Sequence, residues 1–270
     1  ETLRESSDIF SWILGRNGFA RGVELGEYLK DKTRVLDAGC GNGRVTALLR
    51  KYAPRATEIV GIDITSPEIA RDNLELFHLS DNVHFLKKDL LGDLTDLGNF
   101  DFIYCQEVLH HLSDPEQALH NLCSLLSWKG EIAVYVYKKK APVREFADDY
   151  VRGIISKLTY EEAMQACKQI TDLGKSLSRD RTKIQVPRVD VLEIKEGEYD
   201  LQRFIYHFFT KCFWNPDLTF EENAAVNFDW YHPQIASRHT LGEVRGWFIR
   251  AKLKITHEHS DFYGITLRGK

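Results

Sequence analysis

The chain is poor in the features that mark several large protein classes. No apolar run approaches the roughly 18 residues of a membrane-spanning helix, and the first residues lack the basic, apolar, small-residue succession of a secretory leader. Five cysteines (Cys40, Cys105, Cys123, Cys167 and Cys212) show no C-x-x-C spacing. That argues against a zinc ribbon or a disulfide framework and for reduced thiols in or near the core, with the cytoplasm as the expected compartment. No Asp/Glu/His cluster has ligand spacing, so no metal is expected. A formal net charge of −4 argues against nonspecific binding to nucleic acid. Repeats and low-complexity segments are missing as well. What remains is 270 residues, 43% hydrophobic and 28% charged, enough for one large domain or one domain carrying an insertion.

Against this background one stretch stands out, Val35-Leu-Asp-Ala-Gly-Cys-Gly-Asn-Gly43. It reads as a buried strand running into a glycine turn whose bare backbone lets a ligand lie against N–H groups at the start of the next helix, Arg44 to Tyr52. A second strand, Ile59 to Asp63, ends in an acid about 20 residues beyond the loop, the spacing at which a carboxylate takes both ribose hydroxyls of a nucleoside. The loop runs G-x-G-x-G rather than the dinucleotide G-x-G-x-x-G. Asp37, two residues before the first glycine, would repel a pyrophosphate and attract an α-ammonium group.

This D-x-G-x-G-x-G pattern, with its flanking strand, helix and spaced acid, resembles motif I of the class I S-adenosylmethionine (SAM)-dependent methyltransferases. The resemblance covers residues 33–137 strongly and 228–270 moderately. It implies SAM as cofactor, with Asp37 and the backbone of Gly39, Gly41 and Gly43 at its methionine part and Asp63 at its ribose. Cys40 and Asn42 fit turn chemistry, with backbone near the cofactor, and Ile64, next to Asp63, joins the expected cofactor set. Asp89, followed by Leu90, matches the residue that takes the adenine amino group in this family. Read from the residues alone, an acid at a strand end such as Asp89 can also be a helix cap or a turn residue. Gln106 ends a strand where ligands of open α/β sheets bind.

Strand and helix keep alternating after Asp63, the signature of a parallel sheet covered on both faces. Ser66 is the expected N-cap of a helix to about Leu79, and strands are expected at Val83–Lys87, Phe102–Cys105 and Gly130–Tyr137. Ser113-Asp-Pro opens a helix reaching Leu126. Thr240 to Arg250 forms a last helix opened by a T-x-x-E capping box, and Leu253–His259 with Phe262–Leu267 forms a terminal antiparallel hairpin. The expected architecture is an α/β Rossmann-like seven-stranded, mostly parallel sheet with an antiparallel last strand. Residues 1–140 and 229–270 form the SAM-binding domain, and 141–228 form a helical cap over the substrate pocket. Within the cap, helices are expected at Pro142–Leu158, Tyr160–Leu173 and the aromatic-rich Tyr199–Trp214, with Ser176–Lys183 as a connection. The aromatic face buries the cap or meets a symmetry mate, which makes a homodimer its alternative use.

Methyl transfer needs alignment and, for a hydroxyl or ammonium acceptor, a base. The candidates are His110 and His111 on the turn after Gln106, with His111 preferred as the inward-facing one, and Glu107 as a competing base. Tyr231 and His232 lie in a Phe228–Thr240 segment expected to be a loop, with Asp229, Arg238 and His239. The reading is a methyltransferase acting on an O, N or C atom of a small organic acceptor by in-line displacement. The alternatives are an RNA- or protein-modifying methyltransferase, using Lys138–Lys140 and Arg179–Lys183 on phosphates, and a SAM-binding protein without turnover.

Overall fold

In the computed structural model, which describes residues 2–179 and 182–270, the chain divides into two compact units, Glu1–Lys138 with His239–Lys270, and Lys139–Arg238.

The first unit is built on seven strands. These are β1 (Arg34–Ala38), β2 (Glu58–Asp63), β3 (Val83–Lys87), β4 (Phe100–Gln106), β5 (Leu126–Tyr137), and the late pair β8 (Ile255–Ser260) and β9 (Gly264–Gly269). Their order across the sheet is β3-β2-β1-β4-β5-β9-β8. β1 to β5 pair in parallel, whereas β9 runs antiparallel to both β5 and β8. Alternate strand residues feed opposite faces, which is why the central strands read as continuous apolar runs. Leu36, Val60, Ile103 and Val134 pack with Leu119 and Leu122 of α5 (Pro115–Cys123) and with Val244 and Phe248 of α10 (Leu241–Arg250). Val35, Ile59, Phe102 and Ala133 face the other way. There they meet Ile13 and Leu14 of α1 (Asp8–Arg16), Leu25 and Leu29 of α2 (Gly22–Leu29), and Leu48 and Leu49 of α3 (Arg44–Tyr52). Each such fully buried side chain contributes about 1.5–3 kcal/mol.

Between β1 and β4 the chain order reverses, because β2 and β3 extend the sheet one way and β4 and β5 the other. A crevice forms at such a switch point, beyond the carboxyl ends of the strands. It is there that the glycine loop lies.

Helix boundaries differ from expectation where caps decide them. α4 spans Glu68–Leu76 with Pro67 at its N-cap position, so Ser66 is not its cap. α5 is capped by the Asp114 carboxylate, which accepts from the Gln117 N–H, and Leu126 already belongs to β5. Thr240 and Glu243 form the expected capping box of α10.

The second unit holds α6 (Pro142–Ile155), α7 (Tyr160–Ser178), a hairpin of β6 (Lys183–Val186) and β7 (Gly197–Asp200), α8 (Leu201–Phe208) and α9 (Phe220–Tyr231). Its polar centre is Asp148, fully buried on α6. This carboxylate accepts from Arg144 Nε at 3.1 Å, Lys211 N at 2.9 Å, Trp230 Nε1 at 2.9 Å and Tyr231 OH at 2.8 Å.

Three expectations for this region give way. The aromatic stretch is helical only over Leu201–Phe208, because Asp200 caps the Arg203 N–H at one end. At the other end, remote side chains claim the backbone: Asp148 takes Lys211 N–H, and Asn227 takes Phe213 N–H at 2.8 Å. A Cβ on Gly174 would stand 2.4 Å from the Cys212 carbonyl, so this segment lies flush against α7. Residues 176–178 are the last of α7 rather than a connection, and Asp180 and Arg181 lie outside the described residues. Phe228–Tyr231 is the end of α9, not a loop.

Candidate active site

Gly39, Gly41 and Gly43 have φ of +82°, +50° and +79°, the left-handed region that glycine enters without strain. Two of the three are also packed: a Cβ on Gly39 would lie 2.2 Å from Val108, and one on Gly43 2.8 Å from Leu74. Gly41 differs, because a Cβ there would meet nothing within 4 Å. The loop is therefore packed at Gly39 and Gly43 and bare at Gly41 between them. Gly39 N–H and Cys40 N–H both donate to the Ile62 carbonyl, at 2.7 and 2.9 Å, which ties the turn to β2.

Asp63 completes that tie. Its Oδ2 accepts from Gly41 N–H at 2.9 Å, and its Oδ1 accepts from the N–H and hydroxyl of Thr65 at 2.9 and 2.8 Å. Asp37 sits below, 1% exposed, accepting from Thr46 Oγ1 at 2.6 Å. Burial pushes its carboxyl up to about 7; the neighbouring Asp63 charge adds to the rise, while the Thr46 hydrogen bond and Arg44 oppose it. A pair of close carboxylates under a bare backbone loop suits a ligand that carries positive charge next to hydroxyl groups.

The β4 side supplies a third wall. Gln106 is buried, its Oε1 accepting from Tyr104 OH at 2.9 Å. Glu107 follows with φ +62°, a strained value for this residue type, and its carboxylate pairs with Arg44 Nη2 at 2.5 Å. This ion pair joins the turn after β4 to the first residue of α3. It also occupies the carboxylate that a free general base would need.

His110 is fully buried, stacked on Tyr137 with ring centroids 3.6 Å apart, and its Nδ1 accepts from Tyr137 N–H at 3.3 Å. His111 is half-buried in the same short turn and meets Tyr137 edge-on. Of the pair, His110 has a packing role and His111 retains access. Asp89 is exposed, and its Oδ1 accepts from Leu91 N–H at 2.9 Å, so the turn reading describes one of its oxygens. Leu90 is a core side chain, Ile64 is exposed, and Asn42 caps the Arg44 N–H at 3.3 Å. Cys40 packs against Phe85 and Leu74, and burial drives its thiol pKa far up.

The remaining candidates belong to the second unit. Tyr231 is fully buried and bonded to Asp148, so its hydroxyl is committed to holding α9 on α6. His232 caps α9 and stacks on Phe228 at 4.4 Å. Arg238 pairs with Glu145 and Asp149 of α6, which draws the segment expected with the sheet domain into the second unit. His239 begins the return to the first, its N–H donating to the Tyr137 carbonyl at 2.9 Å. Lys140 is buried beside the Trp230 ring and Lys183 is paired with Glu198, so neither belongs to an open basic face. Arg44 and Thr46 are not among the sequence candidates, although polar residues in the first helical turn after a glycine loop are a signal for partners of the nearby acids.

The sheet order and the glycine loop between paired acids define the class I SAM-dependent methyltransferase fold. A family model described as "Methyltransferase domain" matches residues 29–188, more than half of the chain, and the chain belongs to that family. It is similar to the juvenile hormone acid O-methyltransferase of Bombyx mori, 36% identical over 101 residues, which are 36% of this chain and 36% of that one. It is also similar to the ubiquinone biosynthesis O-methyltransferase of Coxiella burnetii, 31% identical over 106 residues, 38% of this chain and 43% of that one. The chain thus spans less than half the length of either relative. Among solved structures, PKMT2 from Rickettsia typhi in complex with AdoHcy superposes with a TM-score of 0.56 at 14% identity, covering 87% of this chain and 48% of that one.

Proposed function

We propose that the protein transfers a methyl group from SAM to an O, N or C atom of a small organic acceptor. The observation that carries this reading is the cradle of Gly39, Gly41 and Gly43 between Asp37 and Asp63, bare at Gly41 and tied to Asp63 by a 2.9 Å hydrogen bond. Two relatives named for O-methylation of a hormone acid and in ubiquinone biosynthesis support a small organic acceptor. Among the described residues no helix is long and apolar enough to cross a membrane, and a cytoplasmic enzyme is part of the reading.

The residues present fit the cofactor. Asp37 would hold its ammonium group and Asp63 its ribose hydroxyls, and the backbone at Gly41 is bare for the ligand to lie against. When bound, SAM supplies a methyl carbon on a sulfonium leaving group, open to in-line attack. The chain's own work is alignment, which for oriented reactants accounts for most of such catalysis. The Arg44–Glu107 pair fixes the turn after β4, and the stack of His110 on Tyr137 sets where His111 stands. His111 is then the group that holds the acceptor's proton, and an acceptor already ionised needs none. The inserted Lys139–Arg238 unit is the part that selects the acceptor.

The test is calorimetry with S-adenosylhomocysteine (SAH), followed by methyl transfer from labelled SAM to a panel of phenols, amines and carboxylic acids. Binding with transfer to one class supports the reading. No heat with a folded protein overturns it.

A further inference from the structure

Arg16 closes α1, yet its side chain turns inward and is 2% exposed. The guanidinium lies against two aromatic rings, its carbon 3.5 Å from the Trp12 ring centroid and 3.9 Å from that of Tyr135, rings that meet edge to face with centroids 5.7 Å apart. Among the described residues none of Nε, Nη1 and Nη2 finds a hydrogen-bond partner. Aromatic stacking attracts a cation but satisfies none of its N–H groups, and a desolvated charge is costly unless an anion meets it.

Two further donors share this place. Asn17 Nδ2, at the end of α1, donates to Tyr104 OH on β4 at 2.8 Å, and Tyr104 OH donates to Gln106 Oε1 of the same strand at 2.9 Å. This relay fixes the amide of Gln106 so that Nε2 is presented as a donor, and among the described residues Nε2 has no partner. On β9, Thr266 is 1% exposed and its hydroxyl also has no partner among the described residues. In register, Gln106 lies beside Tyr135 and Tyr135 beside Thr266. The three therefore form one row on one face of the sheet, and Arg16 stacks on the central residue.

We propose that Arg16, Gln106 and Thr266 form a buried carboxylate-binding site at the carboxyl ends of β4 and β5. Every free function in the row can donate, so the complement is an acceptor, and the guanidinium makes it an anion. The paired N–H groups of a guanidinium match the two oxygens of a carboxylate, which takes them as a bidentate pair. The acids around Tyr135 are committed elsewhere: Glu107 to Arg44, and Asp261 to the N–H groups of Tyr263 and Gly264. Two sources would present this group, the amino-acid end of the cofactor and an acidic acceptor. The cofactor source rests on the methyltransferase reading; the site itself does not.

The test uses the full chain with Arg16→Met, which keeps the stack and removes the fork, and Arg16→Lys and Thr266→Val should the first fail to fold. Calorimetry compares SAH with S-adenosyl-3-thiopropylamine, which keeps the amine and lacks the carboxylate. Benzoate and benzamide are titrated with and without SAH. If the cofactor supplies the group, Arg16→Met weakens SAH roughly 10–100-fold and leaves the decarboxylated analogue unchanged. If the acceptor supplies it, SAH affinity is unchanged while benzoate binding, absent for benzamide, is lost in the variant. Wild type and Arg16→Met binding all four compounds alike would overturn the proposal. Failure of SAH alone to bind wild-type protein would sink the methyltransferase reading and leave the benzoate arm to decide the site.

Discussion

The Gly41 N–H donates to Asp63 Oδ2 at 2.9 Å, so the carboxylate at the end of β2 holds the backbone of the loop after β1. One residue therefore shapes the cradle and offers the charge that a ribose would meet. Asp63→Ala should weaken SAH binding by about 10–100-fold, the loss of one or two charge-assisted hydrogen bonds. Thr65→Val removes a local donor to the same carboxylate and should cost less than about 3-fold, because the carboxylate stays. Calorimetry on both variants checks the contrast, and equal losses would make Asp63 a turn residue only.

Asp37 gives the site a pH dependence. Its carboxyl titrates at about 7 in the unliganded protein, against 3.8 for an ordinary aspartate, chiefly through burial. An ammonium beside it favours the ionised form, so SAH affinity should rise from pH 6 to pH 8 and binding near pH 7 should release a proton. Calorimetry in phosphate and in Tris measures that proton. The stability sign is opposite. A pKa raised on folding means the contribution is fully present below 3.8 and is lost as pH rises through about 7. Asp37→Asn should accordingly melt a few degrees higher than wild type at pH 8 while binding SAH more weakly, and a lower melting temperature there would contradict the buried charge.

The adjacent histidines should separate in their effects. His110→Ala removes a buried ring stacked on Tyr137 and leaves the Tyr137 N–H without its acceptor, so unfolding free energy should fall by about 2–4 kcal/mol. His111→Ala removes a half-buried ring and should leave both stability and SAH affinity near wild type. Turnover of a hydroxyl or amine acceptor should drop by about 10²–10⁴-fold. Denaturation curves with kcat measurements resolve the two. Unchanged turnover in His111→Ala would remove that side chain from the reaction.

Much of the first unit was legible because its residues state their environment locally. Val35-Leu36 and Ile59-Val60 read as buried strands since both their faces are covered, and the glycines that needed positive φ lie in the motif itself. α9 was not legible, because its inward stripe includes Asn223 and Asn227, which take backbone groups of Asn215 and Phe213 and so hide the apolar period. The end of α8 was hidden for the same reason, its continuation being held by side chains remote in sequence. Arg16 stands in the last turn of α1, where a cation is ordinary and nothing in the sequence marks it out. Only the packing of α1 on β5 brings it against two rings.

Tyr231 offers the last test, since it moves from candidate catalyst to scaffold. Its hydroxyl donates to Asp148 at 2.8 Å and lies 3.0 Å from the Lys211 carbonyl, all within the second unit, and burial beside the Asp148 charge drives its pKa far up. A phenol so held does not ionise near neutral pH, and it has no role as a base. Removing it leaves Asp148, which has no access to water, with one donor fewer. Tyr231→Phe should lower unfolding free energy by about 1–3 kcal/mol. SAH affinity and the pH profile of turnover should both stay at wild-type values. Urea denaturation, calorimetry and rate measurements across pH 6 to 10 check this together. An alkaline limb lost in the variant would return the hydroxyl to the chemistry.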